Sequence, residues 1–184
     1  STSENPNSQP VPGVKIVDLS DPDSLKYSGY FKGVDTVLHL AYQRGEKDTP
    51  DQFFYENMNI EMTYNVLRCA YEAGVKRVAY ASSHHASNWY DHSLIQKRKL
   101  DMLTPYSIPL SNSFYGWSKA ACEHLGFLFS CGSFGRKMGV VNIRIGAPHE
   151  LELSKFDNNP SLFKRSLGLY ISTRDLNQIF VRSI

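Results

Sequence analysis

Short apolar runs alternate with longer stretches of helical periodicity along this chain. Three of the runs have a cluster of apolar residues at their centre or along their length, namely Thr36–Ala41, Lys76–Ser83 and Gly139–Ile145. Runs of this kind are typical of strands that are buried on both faces in a parallel sheet. A further run, Val14–Leu19, alternates apolar and polar residues and is predicted to form a short strand. The order of strands and helices predicts an α/β fold with a parallel sheet.

Capping residues mark where the helices of the chain begin and end. Helices are predicted over Asp23–Lys32, about Asp51–Ala73, Phe114–Cys131, and from Ser172 or Thr173 onward. Ser20 or Asp21 before Pro22 fits the start of the first helix. Gly74 fits the left-handed residue that follows the second helix. The segment His149–Lys164 has no such pattern and is predicted to be irregular.

Composition and charge exclude several classes of function. The 184 residues are enough for one domain with a substantial core, and the formal net charge is +2. So small a charge gives no reason to expect binding to nucleic acid or to a membrane surface. No run approaches the ~18 apolar residues of a membrane span. We therefore expect one domain over residues 1–184, with neither nucleic acid nor a membrane as its partner.

The three cysteines predict neither a disulfide framework nor a metal site. Cys69, Cys122 and Cys131 are odd in number, and none lies at a metal-ligand spacing from another cysteine or a histidine. We interpret them as reduced and mostly buried thiols of a cytoplasmic protein. His84 and His85 could instead ligate a metal, but neighbours on an extended segment point in opposite directions. No metal is expected.

Tyr115 and Lys119 carry the strongest chemical signal in the sequence. Their i, i+4 spacing places both side chains on one face of the predicted helix. A nearby ammonium favours the phenolate and lowers the pKa of a tyrosine, so Tyr115 could exchange a proton with a substrate hydroxyl near neutral pH. Ser83, at the end of a strand, could orient that hydroxyl. The spacing is common by chance, and its context decides its meaning.

That context resembles the extended short-chain dehydrogenase/reductase superfamily, also called the NAD-dependent epimerase/dehydratase family. The order is a strand ending in His39–Ala41, a helix with Asn59 and Asn65, a strand ending in Ser83, and then Tyr115. The resemblance implies a Rossmann-like sheet with helices on both faces and NAD as cofactor, with NADP possible. It implies a cofactor-binding set of Asp18, Leu19, Leu40, Ala41, Asn59, Tyr115, Lys119 and Ile145.

Several of these residues also have simpler interpretations. Asp18 and Leu19, which the resemblance places beside the adenine ring, could equally form a helix cap. His39 is expected to be a core histidine with a hydrogen-bond partner. Asn59 is expected either to support Lys119, through backbone or water, or to be an ordinary polar residue on a helix.

Further motifs resemble the uronate dehydrogenases of this superfamily. Ser82–His85 matches their Ser-Ser-Asn-His sequence with His84 in place of Asn, and Val141–Gly146 matches their Val-x-Ile-Arg-Ile-Gly strand. Arg165–Leu167 corresponds to their Arg-Met-Leu, and Tyr170–Asp175 to the motif that follows it. The resemblance implies Tyr115, Lys119 and Ser83 as catalytic residues. It implies a substrate-binding set of Ser83, His84, His85 and Arg165.

These roles describe oxidation of C1 of a cyclic hexuronate to a lactone. Tyr115 would take the C1 hydroxyl proton, Ser83 would bind the reacting oxygen, and Arg165 would bind the carboxylate, which a guanidinium matches in shape. Substrate-binding loops are expected over residues 84–112 and 147–170. The resemblance also implies a homodimer or higher oligomer that pairs the helices carrying Asn59 and Tyr115. Phe127, Leu128 and Phe129 suit that interface or, equally, the core.

One element of the family is absent from the sequence. A dinucleotide-binding fold opens with a strand, a Gly-x-x-Gly-x-x-Gly loop and a helix, and this motif does not occur here. Without that strand, apolar faces and edges of the sheet would be exposed. We expect either a portion of a longer enzyme or a non-catalytic binding protein of the same fold. A nucleotide-sugar epimerase or dehydratase is the alternative enzyme, since it uses the same Tyr, Lys and Ser.

Overall fold

Among the described residues, three parallel strands form the sheet, at the positions of three of the four predicted strands. The computed structural model describes residues 12–45, 49–148 and 159–184. The strands are β1 (Thr36–His39), β2 (Arg77–Ser83) and β3 (Gly139–Ile145), in the spatial order β1-β2-β3. Both neighbouring pairs run parallel, so all three carboxyl ends meet at the same edge of the sheet. The α/β class with a parallel sheet is confirmed.

Helices connect the strands and follow the last of them. They are α1 (Leu25–Ser28), α2 (Gln52–Glu72), α3 (Asn88–Tyr90), α4 (Phe114–Ser130), α5 (Pro160–Leu169) and α6 (Thr173–Arg182). A 3-10 turn, Gly29–Phe31, extends α1. Gly74 has a φ of +81° just after α2, and Ser172 caps α6 by accepting a hydrogen bond from the Asp175 amide. Both predicted helix boundaries are therefore confirmed.

The core lies between one face of the sheet and helices α1, α2 and α4. Its buried side chains come from these elements, from β2 and from the residue before β3, and they include Tyr27, Leu67, Val78, Phe129 and Met138. Side chains on a strand alternate between the two faces. Ser82 therefore faces the same helices as Val78, and the hydroxyl of Ser82 donates to Glu123 of α4 at 2.6 Å. This packing holds α4 across the carboxyl end of β2.

The opposite face of the sheet is covered less completely. Arg77 belongs to this face, and its guanidinium donates to the backbone carbonyls of Ser183 and Ile184, which places the end of α6 on that side. Leu38 of β1 is 41% exposed. Within the described residues β1 pairs only with β2, so its other edge is bare. The expected exposure of apolar residues at this edge is present in the structure.

The start of the described chain differs from its prediction. Residues 14–18 form no strand, and Ile16 is 85% exposed. An alternating sequence becomes a strand only where a neighbour accepts its backbone hydrogen bonds. Helix α1 also begins later than predicted, at Leu25. Asp21 does not cap it, because its carboxylate accepts from the Asp23 amide, before the helix, and pairs with Lys26.

The segment before α6 contains a helix where irregular chain was predicted. The side chain of Asn159 accepts a hydrogen bond from the Leu162 amide, and Pro160 occupies the first turn of α5. Both are ordinary signals for a helix start. The rest of the predicted irregular segment, residues 149–158, lies outside the described residues. In the part of the chain that is described, no helix has the length and apolar character to cross a bilayer.

Candidate active site

The first turns of α4 bring Tyr115 and Lys119 to the carboxyl end of β2. Ser113 caps the helix by accepting a hydrogen bond from the Gly116 amide at 3.2 Å. Lys119 is 6% exposed, and its Nζ donates to the carbonyl of Ala81 at 2.9 Å. The same Nζ lies 5.8 Å from the centroid of the Tyr115 ring. The predicted pair therefore lies on one helix face, with the ammonium anchored to the strand.

Ser83 ends β2 and begins the turn that approaches Tyr115. Its Oγ accepts a hydrogen bond from the backbone amide of His85 at 3.2 Å, within the 3-10 turn His84–Ser87. The ring of His85 contacts Tyr115 edge to face, with centroids 5.4 Å apart. Because the Ser83 oxygen is the acceptor in this bond, its own hydrogen can be directed to another oxygen. The structure thus brings Ser83, His85 and Tyr115 into one cluster.

His84 presents a buried hydrogen-bond acceptor. Its Nδ1 lies 3.2 Å from the carbonyl of Ile145, and a carbonyl can only accept, so Nδ1 carries the hydrogen. Burial lowers the pKa of His84, which favours the neutral ring. Its Nε2 is then an acceptor, and among the described residues it is a buried atom without a hydrogen-bond partner. An unsatisfied buried atom of this kind is costly unless a ligand or water meets it.

His85 is held neutral in the other tautomer. Its Nδ1 accepts a hydrogen bond from the side-chain amide of Asn88 at 3.2 Å, so the hydrogen of the neutral ring is on Nε2. Burial, together with nearby His84 and Arg165, lowers the pKa of His85 to about 4. The rings of His84 and His85 are in contact, with centroids 4.2 Å apart and planes tilted by 42°. The two histidines therefore offer one acceptor and one donor from adjacent rings.

Arg165 reaches the same region from α5 and is already paired. Its Nε donates to Asp91 at 2.6 Å, and the two side chains are only 22% and 19% exposed. Burial acts to raise the pKa of Asp91, but hydrogen bonds from Arg165 and Gln96 and the Arg165 charge hold it below its ordinary value. Asp91 is therefore an anion at neutral pH. The Nη groups of Arg165 carry its other donors.

Two of the residues expected to bind cofactor lie open at the end of β1. Leu40 is 58% exposed, and Ala41 beside it is exposed. Ile145, at the end of β3, is half-buried and holds His84 through its carbonyl. These positions share the carboxyl edge of the sheet with Ser83 and Lys119. They leave an apolar surface at the same end of the sheet as the Tyr115–Lys119 pair.

The side chain of Asn59 bonds to the loop after β1 and to its own helix. Its amide oxygen accepts from the backbone amide of Gln43 at 2.7 Å, and its amide nitrogen donates to the carbonyls of Gln43 and Tyr55. These bonds fix the loop that follows β1. Lys119 donates to the carbonyl of Ala81, and support of Lys119 by Asn59 through backbone or water remains a prediction.

Asp18 and Leu19 lie against α2. Asn65 donates to the carbonyl of Leu19 at 2.9 Å, which attaches this segment to the helix. The carboxylate of exposed Asp18 accepts from the backbone and the hydroxyl of Ser20 at 2.9 and 2.6 Å. These bonds lower the pKa of Asp18. The local turn explains Asp18 fully, and its role beside an adenine ring remains a prediction.

His39 is the core histidine that the sequence predicts. It is 3% exposed, and its Nε2 lies 3.1 Å from the hydroxyl of Thr63. Burial, and to a lesser degree the charge of Lys119, lowers the pKa of His39 to about 4. Because the His39 ring is neutral, the core does not contain a second positive charge beside Lys119.

A buried polar group near the Tyr115–Lys119 pair was not predicted. Glu56 of α2 is 1% exposed and accepts hydrogen bonds from Tyr42 and Ser118. The pattern of α2 contained a usable signal, because Glu56 lies three residues before Asn59 and seven before Thr63, on the buried face. A charged residue at that spacing indicates a buried partner. Asp91 was also missed.

Comparison with known proteins assigns the fold to a family. The family model described as the NAD dependent epimerase/dehydratase family matches residues 1–138. The chain belongs to this family, as its motifs predicted. Among solved structures, one titled mutated uronate dehydrogenase superimposes with a TM-score of 0.65 at 22% identity, covering 91% of this chain and 52% of that one. That similarity supports the Rossmann-like fold.

Curated relatives include sugar dehydrogenases. The chain is 29% identical over 183 residues to an NAD-dependent glucose-6-phosphate dehydrogenase of Haloferax volcanii, with 95% of this chain and 64% of the relative aligned. It is 28% identical over 171 residues to a uronate dehydrogenase of Pseudomonas syringae pv. tomato, with 93% of this chain and 54% of the relative aligned. The chain thus spans between half and two thirds of these relatives.

Proposed function

We propose that this chain carries the catalytic centre of an NAD-dependent dehydrogenase that oxidises C1 of a hexuronate or a related sugar. The observation that carries the proposal is the meeting of Tyr115, Lys119 and the Ser83–His85 turn at the end of β2. A phenol, an ammonium and a hydroxyl at one point can remove a proton from an alcohol and stabilise the oxygen left behind. The relatives that act on sugars support this substrate class.

The residues present fit the nicotinamide and ribose half of NAD. Leu40 and Ala41 leave an open apolar surface at the same end of the sheet as Lys119, whose ammonium would hold the ribose hydroxyls. The glycine loop that would hold the pyrophosphate does not occur in the sequence. When bound, NAD accepts a hydride from the sugar.

Tyr115 would take the proton of the C1 hydroxyl. The ammonium of Lys119 stabilises the phenolate, and its bond to Ala81 keeps that charge in place. Ser83 would donate its hydrogen to the reacting oxygen, because the Ser83 oxygen already accepts from the His85 amide. The result is a lactone carbonyl at C1.

The remaining polar groups would select the substrate. His84 Nε2 would accept a hydrogen bond from a sugar hydroxyl, which satisfies an otherwise unpartnered buried atom. His85 Nε2 would donate to a neighbouring sugar oxygen. A carboxylate would meet the Nη groups of Arg165, since its Nε is bonded to Asp91.

Absorbance at 340 nm with NAD and glucuronate, galacturonate or glucose tests the proposal. We expect NADH formation that falls at least ~100-fold in Tyr115→Phe, because proton transfer by a positioned side chain contributes about that much or more. Tyr106→Phe is the matched control, since Tyr106 is 94% exposed. If the wild-type protein neither forms NADH nor binds NAD in calorimetry, the proposal is wrong. Turnover of nucleotide sugars alone would indicate an epimerase or dehydratase instead.

A further inference from the structure

Glu56 is a carboxylate in a position that would ordinarily hold an apolar side chain. It lies on the buried face of α2 and is 1% exposed. Removing a carboxylate from water is costly unless hydrogen bonds and an opposite charge compensate for it. Tyr42 donates to Oε1 at 2.6 Å and Ser118 donates to Oε2 at 2.5 Å, so both oxygens are occupied. The hydrogen bonds satisfy the group but do not explain why a charge is there.

Both hydroxyl partners of Glu56 contact the catalytic pair. The Tyr42 ring lies edge to face against Tyr115, with centroids 5.3 Å apart, and Lys119 Nζ lies 5.1 Å from the Tyr42 centroid. Ser118 stands between the pair in sequence, and its Oγ is 2.9 Å from the carbonyl of Tyr115. The carboxylate of Glu56 therefore fixes both the Tyr42 ring that packs against Tyr115 and the helix turn that carries Tyr115.

The groups that face Lys119 come from every element around it. On its own helix these are Tyr115 and Cys122, β1 contributes His39, β2 contributes Tyr80 and the Ala81 carbonyl, the loop after β1 contributes Tyr42, and α2 contributes Glu56.

Among these groups of the described residues, Glu56 is the one carboxylate, and its charge acts to raise the pKa of Lys119. Burial lowers the pKa of Lys119, and the charges that oppose this effect are those of Cys122 and Glu56. Burial raises the pKa of the Cys122 thiol, which keeps it neutral. His39 is also neutral, because burial lowers its pKa to about 4. Glu56 is thus the counter-charge available to the ammonium.

We propose that Glu56 is a positioning residue for the Tyr115–Lys119 pair. Through Tyr42 and Ser118 it fixes the orientation of Tyr115, and through its charge it keeps Lys119 protonated in a site that excludes water. This inference rests on the proposed function for its consequence in catalysis. The effect on Lys119 itself belongs to the folded chain and can be measured without cofactor or substrate.

The direct test is the titration of lysine side chains by NMR, with lysine labelled with ¹³C at Cε. The Lys119 signal is assigned by its loss in Lys119→Met. In Glu56→Gln we expect the midpoint of that titration to move down by about one pH unit, because a neighbouring negative charge favours the ammonium. Glu61→Gln is the matched control, since Glu61 is exposed on the same helix. A midpoint that does not move, or that moves equally in both variants, overturns the inference.

A second variant covers the case in which Glu56→Gln does not fold. Tyr42→Phe keeps the ring against Tyr115 and removes only the hydroxyl that holds Glu56. We expect it to move the Lys119 midpoint by a smaller amount that is still outside the range of the Glu61→Gln control. No movement in a folded Tyr42→Phe would also count against the inference.

The pH profile of NADH formation separates the charge effect from its consequence in catalysis. In Glu56→Gln the alkaline limb of the profile should move to lower pH together with the Lys119 midpoint, whereas a merely structural loss would lower the rate equally at every pH. If wild-type protein forms no NADH but the NMR shift is present, the proposed function fails and the charge effect stands. If the enzyme turns over and the NMR shift is absent, the inference fails alone.

Discussion

Asp91 determines what Arg165 can offer to a substrate. The two side chains are paired at 2.6 Å in a region that is mostly shielded from water, and a hydrogen bond between ionised groups is stronger there than at an open surface. If Arg165 binds substrate as proposed, a uronate carboxylate would share the guanidinium with Asp91, whereas a neutral sugar would meet no such competition. The pair would then shift the balance between anionic and neutral sugars toward the neutral ones.

Replacement of Asp91 by asparagine should shift that balance back. The substitution removes the competing charge but keeps a side-chain oxygen near Arg165. We expect KM for glucuronate or galacturonate to fall by up to ~10-fold, which corresponds to about 1.4 kcal/mol, within the range of one hydrogen bond to a charged group. KM for a neutral aldose should change by less than about twofold. Steady-state kinetics at 340 nm on both substrates measures the difference.

Asp101→Asn is the control for this experiment, because Asp101 is exposed and its replacement makes the same change in net charge. An equal effect of Asp91→Asn on anionic and neutral sugars would show that Asp91 only supports the loop. Arg165→Gln should weaken carboxylate-bearing substrates selectively, and an equal loss on neutral sugars would exclude the proposed role of Arg165.

Single residues of the site also show what sequence can and cannot predict. Tyr115 and Lys119 were identifiable because they lie one turn apart on one helix. The pairing of Asp91 with Arg165 joins residues 74 positions apart, and the bond between Glu56 and Ser118 joins residues 62 apart. Such contacts depend on how helices and strands pack, which no local spacing encodes. Candidate chemical roles could be predicted for single residues, whereas the hydrogen-bond partners of those residues could not.

Among the helices and strands, a close contact sets the distance between α4 and the end of β2. A Cβ added at Gly116 would overlap the carbonyl oxygen of His85 and the hydroxyl oxygen of Ser111. A backbone carbonyl in a hydrogen-bonded turn cannot move aside as a flexible side chain can. The absence of a side chain at Gly116 therefore lets the first turn of α4 bring Tyr115 against the Ser83–His85 segment.

Gly116→Ala should destabilise the protein although alanine is the better helix former. Helix propensity alone predicts a gain of about 0.5–1 kcal/mol, whereas overpacking of a rigid contact costs about 1–3 kcal/mol. We expect the free energy of unfolding in urea to fall by ~1–2 kcal/mol, the balance of these two effects. NADH formation should fall by at least ~10-fold in the folded fraction, because Tyr115 moves away from Ser83.

Gly29→Ala provides the matched control. Gly29 has helical φ and ψ of −59° and −28°, and an added Cβ there would meet nothing within 4 Å. We expect unchanged activity and unchanged or slightly higher stability. If the two alanine variants unfold at the same urea concentration, the contact at Gly116 does not constrain α4.

Helices and strands were predictable where the side-chain pattern and the cap agreed. The predicted strand Gly139–Ile145 has those bounds in the structure, and α2 begins one residue after its predicted start and ends one residue before its predicted end. The prediction of a strand over Val14–Leu19 was wrong, because an alternating pattern forms a strand only if a neighbouring strand is available to pair with it. The start of α5 was missed although Asn159 and Pro160 carried the signal, since the preceding polar run suggested a continuous loop.

Exposed apolar side chains occur at several places on the described surface, and two of these places bear on association. One is the bare edge of β1, where Leu38 and Leu40 are 41% and 58% exposed. The other is the outer face of α2 and α4, where a groove of about 420 Å³ lies between the helices and is lined by Ile60, Ala121, His124, Leu125, Phe127 and Leu128. Adjacent apolar side chains on a surface mark sites of association.

The three residues that the sequence offered to an interface or, equally, to the core differ in exposure. Phe127 and Leu128 are 65% and 43% exposed, whereas Phe129 is 4% exposed and belongs to the core. The two interpretations of this segment, interface and core, therefore apply to different residues of it. Only Phe127 and Leu128 are available to a second copy of the chain.

If α2 and α4 pair across a dimer, Phe127→Asp should dissociate it. Sedimentation equilibrium should give twice the 20.9 kDa chain mass for the wild type and the single chain mass for the variant, because a buried carboxylate without a partner opposes association. Val181→Asp, at a 69% exposed apolar residue of α6, should leave the dimer intact. A wild-type monomer would exclude the dimer. The Phe127→Asp protein could still associate and separate only when Leu40 is also replaced by lysine. That result would place the contact at the β1 edge, because an inserted charge blocks pairing between strands.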